Sequence, residues 1–212
     1  MPISLKKDTL QWNFSMAIIN LFGASGHAKV IMDIIEAQGN AVGGLYDDSP
    51  RFNTIHGKPV YRAKETVVRG PLIISIGSNK IRKLISDRYQ VDYAIAVSPN
   101  AIVSESAVIN KGTVVMQGAI IQSDANIGRH CIINSGASVD HECQLEDFVH
   151  VSPHATLCGN VKVGQGSWIG AGAVVIPGVE IGRWCTIGAG SVVLHDISDG
   201  AVAYGNPCRI KV

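Results

Sequence analysis

The sequence predicts an α/β domain followed by a parallel β-helix, and two observations support this fold class. Up to about residue 97, strand-like and helix-like segments alternate. Beyond that point, large aliphatic residues recur at every sixth position without a break. The chain of 212 residues is long enough for two small domains, each with its own hydrophobic core.

The first half contains several short apolar segments that predict buried strands. Residues 23–39 predict a turn and then an amphipathic helix, with Val30, Ile34 and Ile35 on one face. Because strands and helices alternate, we expect a parallel sheet with right-handed crossovers. The predicted strands are 17–22, 41–46, 71–77 and 92–97, and a second helix covers 79–89.

The second half repeats with a period of six residues. Every sixth residue from Val103 to Val193 is valine, isoleucine or leucine. Four residues after each of them comes a small or β-branched residue. This pattern is typical of a parallel β-helix, in which three hexads build one triangular coil. The large aliphatic residues then fill the interior, and the small residues allow the corners.

Composition excludes several classes of function. The formal net charge is +1, so neither nucleic acid nor membrane insertion is expected. Every apolar run is shorter than the roughly 20 residues of a membrane helix. Residues 1–15 lack the apolar region of a secretory signal and are interpreted as an N-terminal extension. The five cysteines contain no CxxC pair, which favours a reduced cytoplasmic setting. Three of them coincide with small inward positions of the repeat: Cys131, Cys143 and Cys185.

A polar cluster interrupts the repeat in SVDHECQLEDFVHVSPHATLCGN, residues 138–160. His141 falls on an outward corner, one coil before Gly159. His150 is half a coil further on, so the two histidines lie on different sides and can meet only across subunits. Imidazole titrates near neutrality, which suits general-base chemistry. Two other histidines are predicted to be surface or interface residues: His130 and His154.

Candidate ligand residues follow three predicted strands of the α/β half. Open parallel sheets bind ligands at the carboxyl ends of their strands, where helix N-termini attract phosphate. The first turn reads GxxGH and not GxGxxG, so a dinucleotide cofactor is not expected. The alternative is an ordinary tight turn with glycines for geometry. We predict a nucleotide-sugar site that contains Gly23, Ser25, Gly26, His27, Asp47, Asp48, Gly77, Ser78 and Asn79.

Five segments together are specific for one enzyme family. They are GASGHAKV (23–30), LYDD (45–48), SIGSNKIRK (75–83), VDHECQLEDFVHVSPHATLCGNVKVG (139–164) and AYGNPCRIKV (203–212). Over residues 17–212 the chain resembles the bacterial sugar O- and N-acetyltransferases of the NeuD/PglD type, within the hexapeptide-repeat acyltransferases. The resemblance implies a Rossmann-like nucleotide-sugar-binding domain over 16–97 and a left-handed β-helix acetyltransferase domain over 98–212. It also implies acetyl-CoA as co-substrate and a homotrimer with active sites between neighbouring subunits.

The same resemblance assigns roles to single residues. It implies that His141 is the general base and that Glu142 supports the charged form of its ring. Gly159 is implied to offer its backbone near the thioester, and His150 to contact acetyl-CoA or to assist at the carbonyl. The remaining implied contacts are Asn134 near the base, Ala171 and Ala189 along the pantetheine arm, and Gly205–Pro207 near the adenine.

The sequence therefore predicts an acetyl-CoA-dependent N-acetyltransferase. Its expected acceptor is the amine of a nucleotide-activated amino-deoxy-sugar of the UDP-4-amino-sugar type. O-acetylation of sialic acid or a related sugar is the alternative, because the chemistry is shared and only the acceptor differs. A zinc carbonic anhydrase on the same scaffold would use His141, His150 and His154, but those enzymes lack the α/β domain, so no metal is expected. A non-catalytic trimer that binds a sugar nucleotide is the last alternative.

Overall fold

A five-stranded sheet forms the first part of the chain. The structure, a computed structural model, describes residues 16–211, so the predicted extension over 1–15 lies outside the described residues. The elements are β1 Ile18–Phe22, α1 Gly26–Ala37, β2 Ala41–Asp47, β3 Thr54–Ile55, β4 Lys58–Arg62, a 3-10 helix Ala63–Glu65, β5 Leu72–Ile74 and α2 Asn79–Arg88. The strand order is β3-β4-β2-β1-β5. All neighbours are parallel except β3 and β4, a hairpin that the sequence did not predict.

Helix α1 lies between this sheet and the β-helix. Its buried residues include Ile31 and Ile34, which pack in one cluster with Leu21 of β1. The same cluster contains Val114 and Ile132, which point outward from the β-helix. The apolar face of α1 therefore holds the two parts of the chain together.

The aliphatic series of the β-helix begins one hexad before Val103, the residue at which it was predicted to start. Of the predicted strand over 92–97, only Ala96–Val97 forms a strand, β6, and it pairs within the β-helix. Tyr93 keeps a single parallel bridge to β5. The cause lies in the repeat, because Val97 precedes Val103 by six residues and continues the aliphatic series.

The rest of the chain forms the predicted parallel β-helix. Each strand from β6 up to Val174–Val175 pairs in parallel with the strand 18 residues later, as Ile120 does with Ser138. The repeated aliphatic residues from Ile109 to Val193 are buried, and so are Cys131, Cys143 and Cys185, which confirms the inward positions of these three thiols. The strands are β7 Ile102–Val103, β8 Val108–Ile109, β9 Val114–Val115, β10 Ile120–Ile121, β11 Asn126–Ile127, β12 Ile132–Ile133, β13 Ser138–Val139, β14 Gln144–Leu145, β15 His150–Val151, β16 Thr156–Leu157, β17 Lys162–Val163, β18 Trp168–Ile169, β19 Val174–Val175, β20 Glu180–Ile181, β21 Thr186–Ile187, β22 Val192–Val193, β23 Val202–Tyr204 and β24 Arg209–Ile210.

The β-helix has three faces of different character. The polar face consists of β8, β11, β14, β17 and β20, and exposes residues such as Gln144 and Lys162. The covered face runs from β6 to β23, and its early strands lie under the α/β part. The apolar face consists of β7, β10, β13, β16, β19 and β22. Its outward residues are Ile102, Ile120, Ser138, Thr156, Val174 and Val192, none of them charged.

Arg82 connects α2 to the β-helix. Its side chain is almost fully buried, at 1% exposure. Burial lowers the pKa of Arg82 to about 10, so the guanidinium is still charged at neutral pH. Its N–H groups donate to the carbonyls of Ile76, Gly77, His130 and Phe148 and to the amide oxygen of Asn79.

The prediction that His130 lies at the surface is wrong. Its ring is fully buried, edge-on to Tyr93 at 4.5 Å and stacked on Phe148 at 5.1 Å between ring centroids. Burial, followed by the charges of Arg129 and Arg82, lowers the pKa of His130 to about 4. This corner histidine is turned toward the α/β part, which covers it.

The buried His130 makes folding sensitive to acid. Below about pH 6.5 the unfolded chain takes up a proton that the folded protein takes up only near pH 4. Stability is therefore lost as the pH falls from about 6.5 to 4, by about 3 kcal/mol for this one group. We expect His130→Phe to reduce this loss, measured by urea unfolding at several pH values. The exposed His195→Phe is the control, and an unchanged pH dependence in His130→Phe would contradict the assignment.

Candidate active site

His141 occupies the corner between β13 of the apolar face and β14 of the polar face. Its side chain is 58% exposed, and its ring Nδ1 lies 3.1 Å from Glu142 Oε2. Because a carboxylate only accepts hydrogen bonds, Nδ1 carries the proton and the Nε2 lone pair is left to act as a base. The backbone N–H of His141 also donates to the carboxylate of Asp140 at 2.8 Å. The corner therefore presents an oriented imidazole.

Gly159 lies over the His141 ring, one coil further along. A Cβ on Gly159 would approach ring atoms Cε1 and Nε2 to 2.5 Å, so a larger residue there would displace this imidazole. The backbone N–H of Asn160 donates to the carbonyl of His141 at 2.9 Å. The stacking that the repeat predicts is present, and it brings the backbone of the next coil against the proposed base.

His150 lies on the covered face, away from the His141 corner, as the half-coil spacing predicts. Asn134 Oδ1 accepts from the backbone N–H of Ser135 at 2.8 Å, so its Nδ2 donates to His150 Nε2 at 3.1 Å. Burial, then the charges of Arg82 and His27, lower the pKa of His150 to about 3. His150 is thus a neutral ring whose Nε2 is already bonded, and Asn134 contacts this ring.

The first glycine turn is held by an acid from the second strand. Asp47 accepts hydrogen bonds from the backbone N–H groups of Ala24 at 3.0 Å and Ser49 at 2.8 Å. Gly23 has φ of +112°, and a Cβ there would lie 2.9 Å from the carbonyl oxygen of Ser75. The carboxylate of Asp47 thus stabilises the turn where phosphate binding is predicted.

The other residues at these strand ends differ in their freedom to bind a ligand. Asp48 forms two hydrogen bonds with Arg88 Nη1, at 2.8 and 3.0 Å. Ser25 and Gly26 are exposed, and space around Gly26 is open. Burial, then the charge of Arg82, lowers the pKa of His27 to about 4, so its ring is neutral at neutral pH.

The third turn joins α2 to the β-helix. Asn79 Nδ2 donates to the carbonyl of Gly166 at 2.9 Å, and Asn79 Oδ1 accepts from Arg82. Ser78 Oγ accepts from the backbone N–H of Ile81, at 3.5 Å, at the start of α2. Space around Gly77 is open. Asn79 and Ser78 therefore have structural contacts, whereas Gly77 faces open space.

A cavity of about 570 Å³ lies between this turn and the covered face. Residues 77–80 form one wall, and the other contains His150, Trp168 and Trp184. Sequence reasoning identified His150 but neither tryptophan nor Arg82. Trp168 had a detectable signal, because no other outward strand position from Ile102 to Val192 carries tryptophan, tyrosine or phenylalanine.

Small residues form a column at the corner between the covered and apolar faces. Ala171 and Ala189 are both exposed there, and the backbone N–H of Gly190 donates to the carbonyl of Ala171 at 2.8 Å. Gly205–Pro207 lies in the turn between β23 and β24. The apolar face thus has the His141 corner along one edge and this column along the other.

The described residues offer neither a metal site nor a membrane-spanning helix. Within 16–211, no three histidine, cysteine, aspartate or glutamate side chains are grouped so that they could hold a metal ion. Neither α1 nor α2 has the length and apolarity that a membrane crossing requires.

Several proteins similar to this chain are acetyltransferases. A histidine-to-asparagine mutant of perosamine N-acetyltransferase from Caulobacter crescentus, solved with CoA and GDP-perosamine, is 34% identical. The alignment covers 93% of this chain and 98% of that one, with a TM-score of 0.86. The acetyltransferase domain of PglB from Neisseria gonorrhoeae, solved with acetyl coenzyme A, is 33% identical over 92% and 100% of the two chains, with a TM-score of 0.83. A UDP-N-acetylbacillosamine N-acetyltransferase from Bacillus subtilis is 42% identical in an alignment of 109 residues that covers 45% of this chain and 50% of that protein.

Family models match both parts of the chain. The PglD N-terminal domain matches residues 18–89, and the bacterial transferase hexapeptide model (six repeats) matches residues 160–195. Fold and site together define a hexapeptide-repeat acyltransferase with an N-terminal α/β domain. Within that class the chain belongs to the family of PglD-type acetyltransferases, as its motifs predicted, and it is an acetyltransferase.

Proposed function

We propose that the protein transfers an acetyl group from acetyl-CoA to the amine of a nucleotide-linked amino-deoxy-sugar, with His141 as general base. The observation that carries the proposal is the exposed His141–Glu142 pair, whose Nδ1–Oε2 distance is 3.1 Å. The relatives add support, because those named above act on nucleotide amino-sugars or were solved with CoA or acetyl-CoA.

The chemistry needs few groups. The acceptor amine attacks the thioester carbonyl, and His141 Nε2 takes the proton that the amine loses. Glu142 stabilises the imidazolium that forms. The C–S bond then breaks, and the departing CoA thiolate takes up a proton as CoA is released. The Gly159 backbone, which packs on the ring, is the candidate donor to the oxyanion.

A homotrimer would complete the site. The apolar face exposes Ile102 at 66% and otherwise presents half-buried aliphatic and hydroxyl residues, which suits contact with another copy of the chain. His141 lies at one edge of this face, and Ala171 and Ala189 lie at the other. Packing the apolar faces around a threefold axis would bring His141 of one subunit beside the small-residue column of its neighbour. The proposed active sites therefore lie between subunits.

A charge on the apolar face is expected to break the trimer and the activity together. Val174→Asp places a carboxylate at an outward position of β19, where burial against a neighbour would desolvate it at a cost of several kcal/mol. Light scattering should report a lower mass, and acetyl transfer should fall in parallel. The control is Asn126→Asp on the polar face, which should leave both the mass and the acetyl transfer unchanged. A Val174→Asp protein of unchanged mass would exclude this face as the interface.

The acceptor is identified by turnover. We would mix the protein with acetyl-CoA and UDP-, GDP- or dTDP-linked 4-amino-sugars, and with free and CMP-linked sialic acid, and follow the release of CoA. Turnover of one amino-sugar fixes both the acceptor class and the nucleotide, which the relatives leave open since they use UDP and GDP sugars. Turnover with sialic acid alone would favour the O-acetyltransferase. Binding without turnover would favour a sugar-nucleotide-binding protein.

A further inference from the structure

The cavity beside α2 extends from the α/β sheet to the outer surface of the β-helix. Its first wall, residues 77–80, follows β5 at the carboxyl edge of the sheet, where nucleotide binding is predicted. Lys80 and the N-terminus of α2 make this wall electropositive, which suits a diphosphate. Its second wall lies on the covered face, around Trp168 and Trp184. A nucleotide-linked sugar with its phosphates at the first wall would carry its pyranose ring to the second.

Trp168 is held in place but is not covered. Its Nε1–H donates to Ser152 Oγ at 2.6 Å, and Ser152 itself is buried at 4% exposure. Its ring lies within 14° of parallel to the His150 ring, with 6.0 Å between the centroids. The side chain is nevertheless 49% exposed. An indole that is fixed at one edge and open on the cavity side contributes little to the core.

The position of Trp168 along the covered face explains its exposure. The outward residues of the preceding strands, Val114, Ile132 and His150, are buried, the first two in the cluster that includes α1. Trp168 is the first outward residue beyond that cover. It therefore lies at the boundary where the α/β part ends and the cavity opens.

We propose that Trp168 is the platform on which the sugar ring of the acceptor stacks. This inference rests on the proposed function and adds the residue that selects the sugar. Deoxy-sugars present an apolar C–H face, and an aromatic ring offers a large apolar surface at low entropic cost. The platform lies beside the column of Ala171 and Ala189 without belonging to it, so donor and acceptor contact different surfaces.

Fluorescence of Trp168 tests the contact without turnover. The chain has three tryptophans, so the double variant Trp12→Phe/Trp184→Phe reports on Trp168 alone. The probes are UDP- and GDP-linked 4-amino-deoxy-sugars, UDP and GDP alone, and acetyl-CoA. We expect a saturable change in Trp168 fluorescence when a nucleotide-sugar is added, and little change in fluorescence with the nucleotide alone or with acetyl-CoA. An equal change with the nucleotide alone, or with acetyl-CoA, would overturn the proposal.

Kinetics test the energetic contribution of the same contact. We expect Trp168→Ala to raise the KM for the acceptor about tenfold or more while the KM for acetyl-CoA stays within about twofold. Trp168→Phe should restore most of the acceptor affinity, and Ser152→Ala, which keeps the indole, should have a smaller effect. Equal acceptor KM values in Trp168→Ala and the wild type would reject the platform. If the wild type turns over no nucleotide amino-sugar, the proposed function fails, and the fluorescence titration still decides whether a sugar nucleotide contacts Trp168.

Discussion

Replacing His141 with asparagine is expected to abolish acetyl transfer while both substrates still bind. Its Nδ1–H is fixed on Glu142, so Nε2 is the atom that can take the proton of the acceptor amine. Asparagine keeps a polar side chain beneath Gly159 but cannot accept that proton. Loss of a general base costs about 10²–10⁴-fold in kcat. Release of CoA measures kcat, and calorimetry with each substrate measures binding.

His195→Asn is the matched control for this substitution. His195 is an exposed histidine that lies further along the same column of β-helix corners as His141. We expect its kcat to stay within about twofold of the wild type, because its change removes an imidazole without removing the proposed base. The kcat of Glu142→Gln should lie between those of His141→Asn and the control variant, because the imidazole ring is kept but the carboxylate that stabilises the imidazolium is lost. A His141→Asn enzyme that retains more than a tenth of the kcat would place the base elsewhere.

The periodic part of the fold was predictable because its geometry repeats. Once a six-residue period is known, the position of each residue relative to its neighbours one coil away follows. That is why the contact between His141 and Gly159, and the separation of His141 from His150, could be predicted from spacing alone. The same period extends back to Val97, so the sequence contained the information needed to begin the predicted aliphatic series at Val97 and not at Val103.

Contacts between the two parts of the chain were not predictable in this way. Nothing in NKIRKLISDR, the sequence of α2, marks Arg82 as its buried cation, because the partners are backbone carbonyls that carry no sequence signal. His130 stands on a corner like His154, yet it is buried because Tyr93 and Phe148 enclose it. Asp47 was predicted from its place after a strand, but its bond to the Ala24 N–H depends on the conformation of the turn.

Removal of the Arg82 side chain is expected to lower the stability of the protein more than removal of any other side chain of α2. Arg82→Met fills part of the volume but leaves the carbonyls of His130 and Phe148 buried without their donor. An unsatisfied buried acceptor costs about 1–3 kcal/mol, so the total loss should reach at least about 3 kcal/mol. For a chain of this length that corresponds to a fall in Tm of about 6–12 °C. Calorimetric melting measures it.

Arg88→Met on the same helix separates this effect from the loss of any arginine. Arg88 pairs with Asp48 at the surface, and such pairs contribute up to about 1 kcal/mol. The Tm of Arg82→Lys should lie between those of the wild type and Arg82→Met, because an ammonium cannot reproduce the planar set of guanidinium donors. Since Arg82 also holds residues 76, 77 and 79 beside the cavity, its loss should raise the acceptor KM even in protein that is fully folded at the assay temperature. Equal Tm values for Arg82→Met and Arg88→Met would show that the buried guanidinium does not hold the two parts of the chain together.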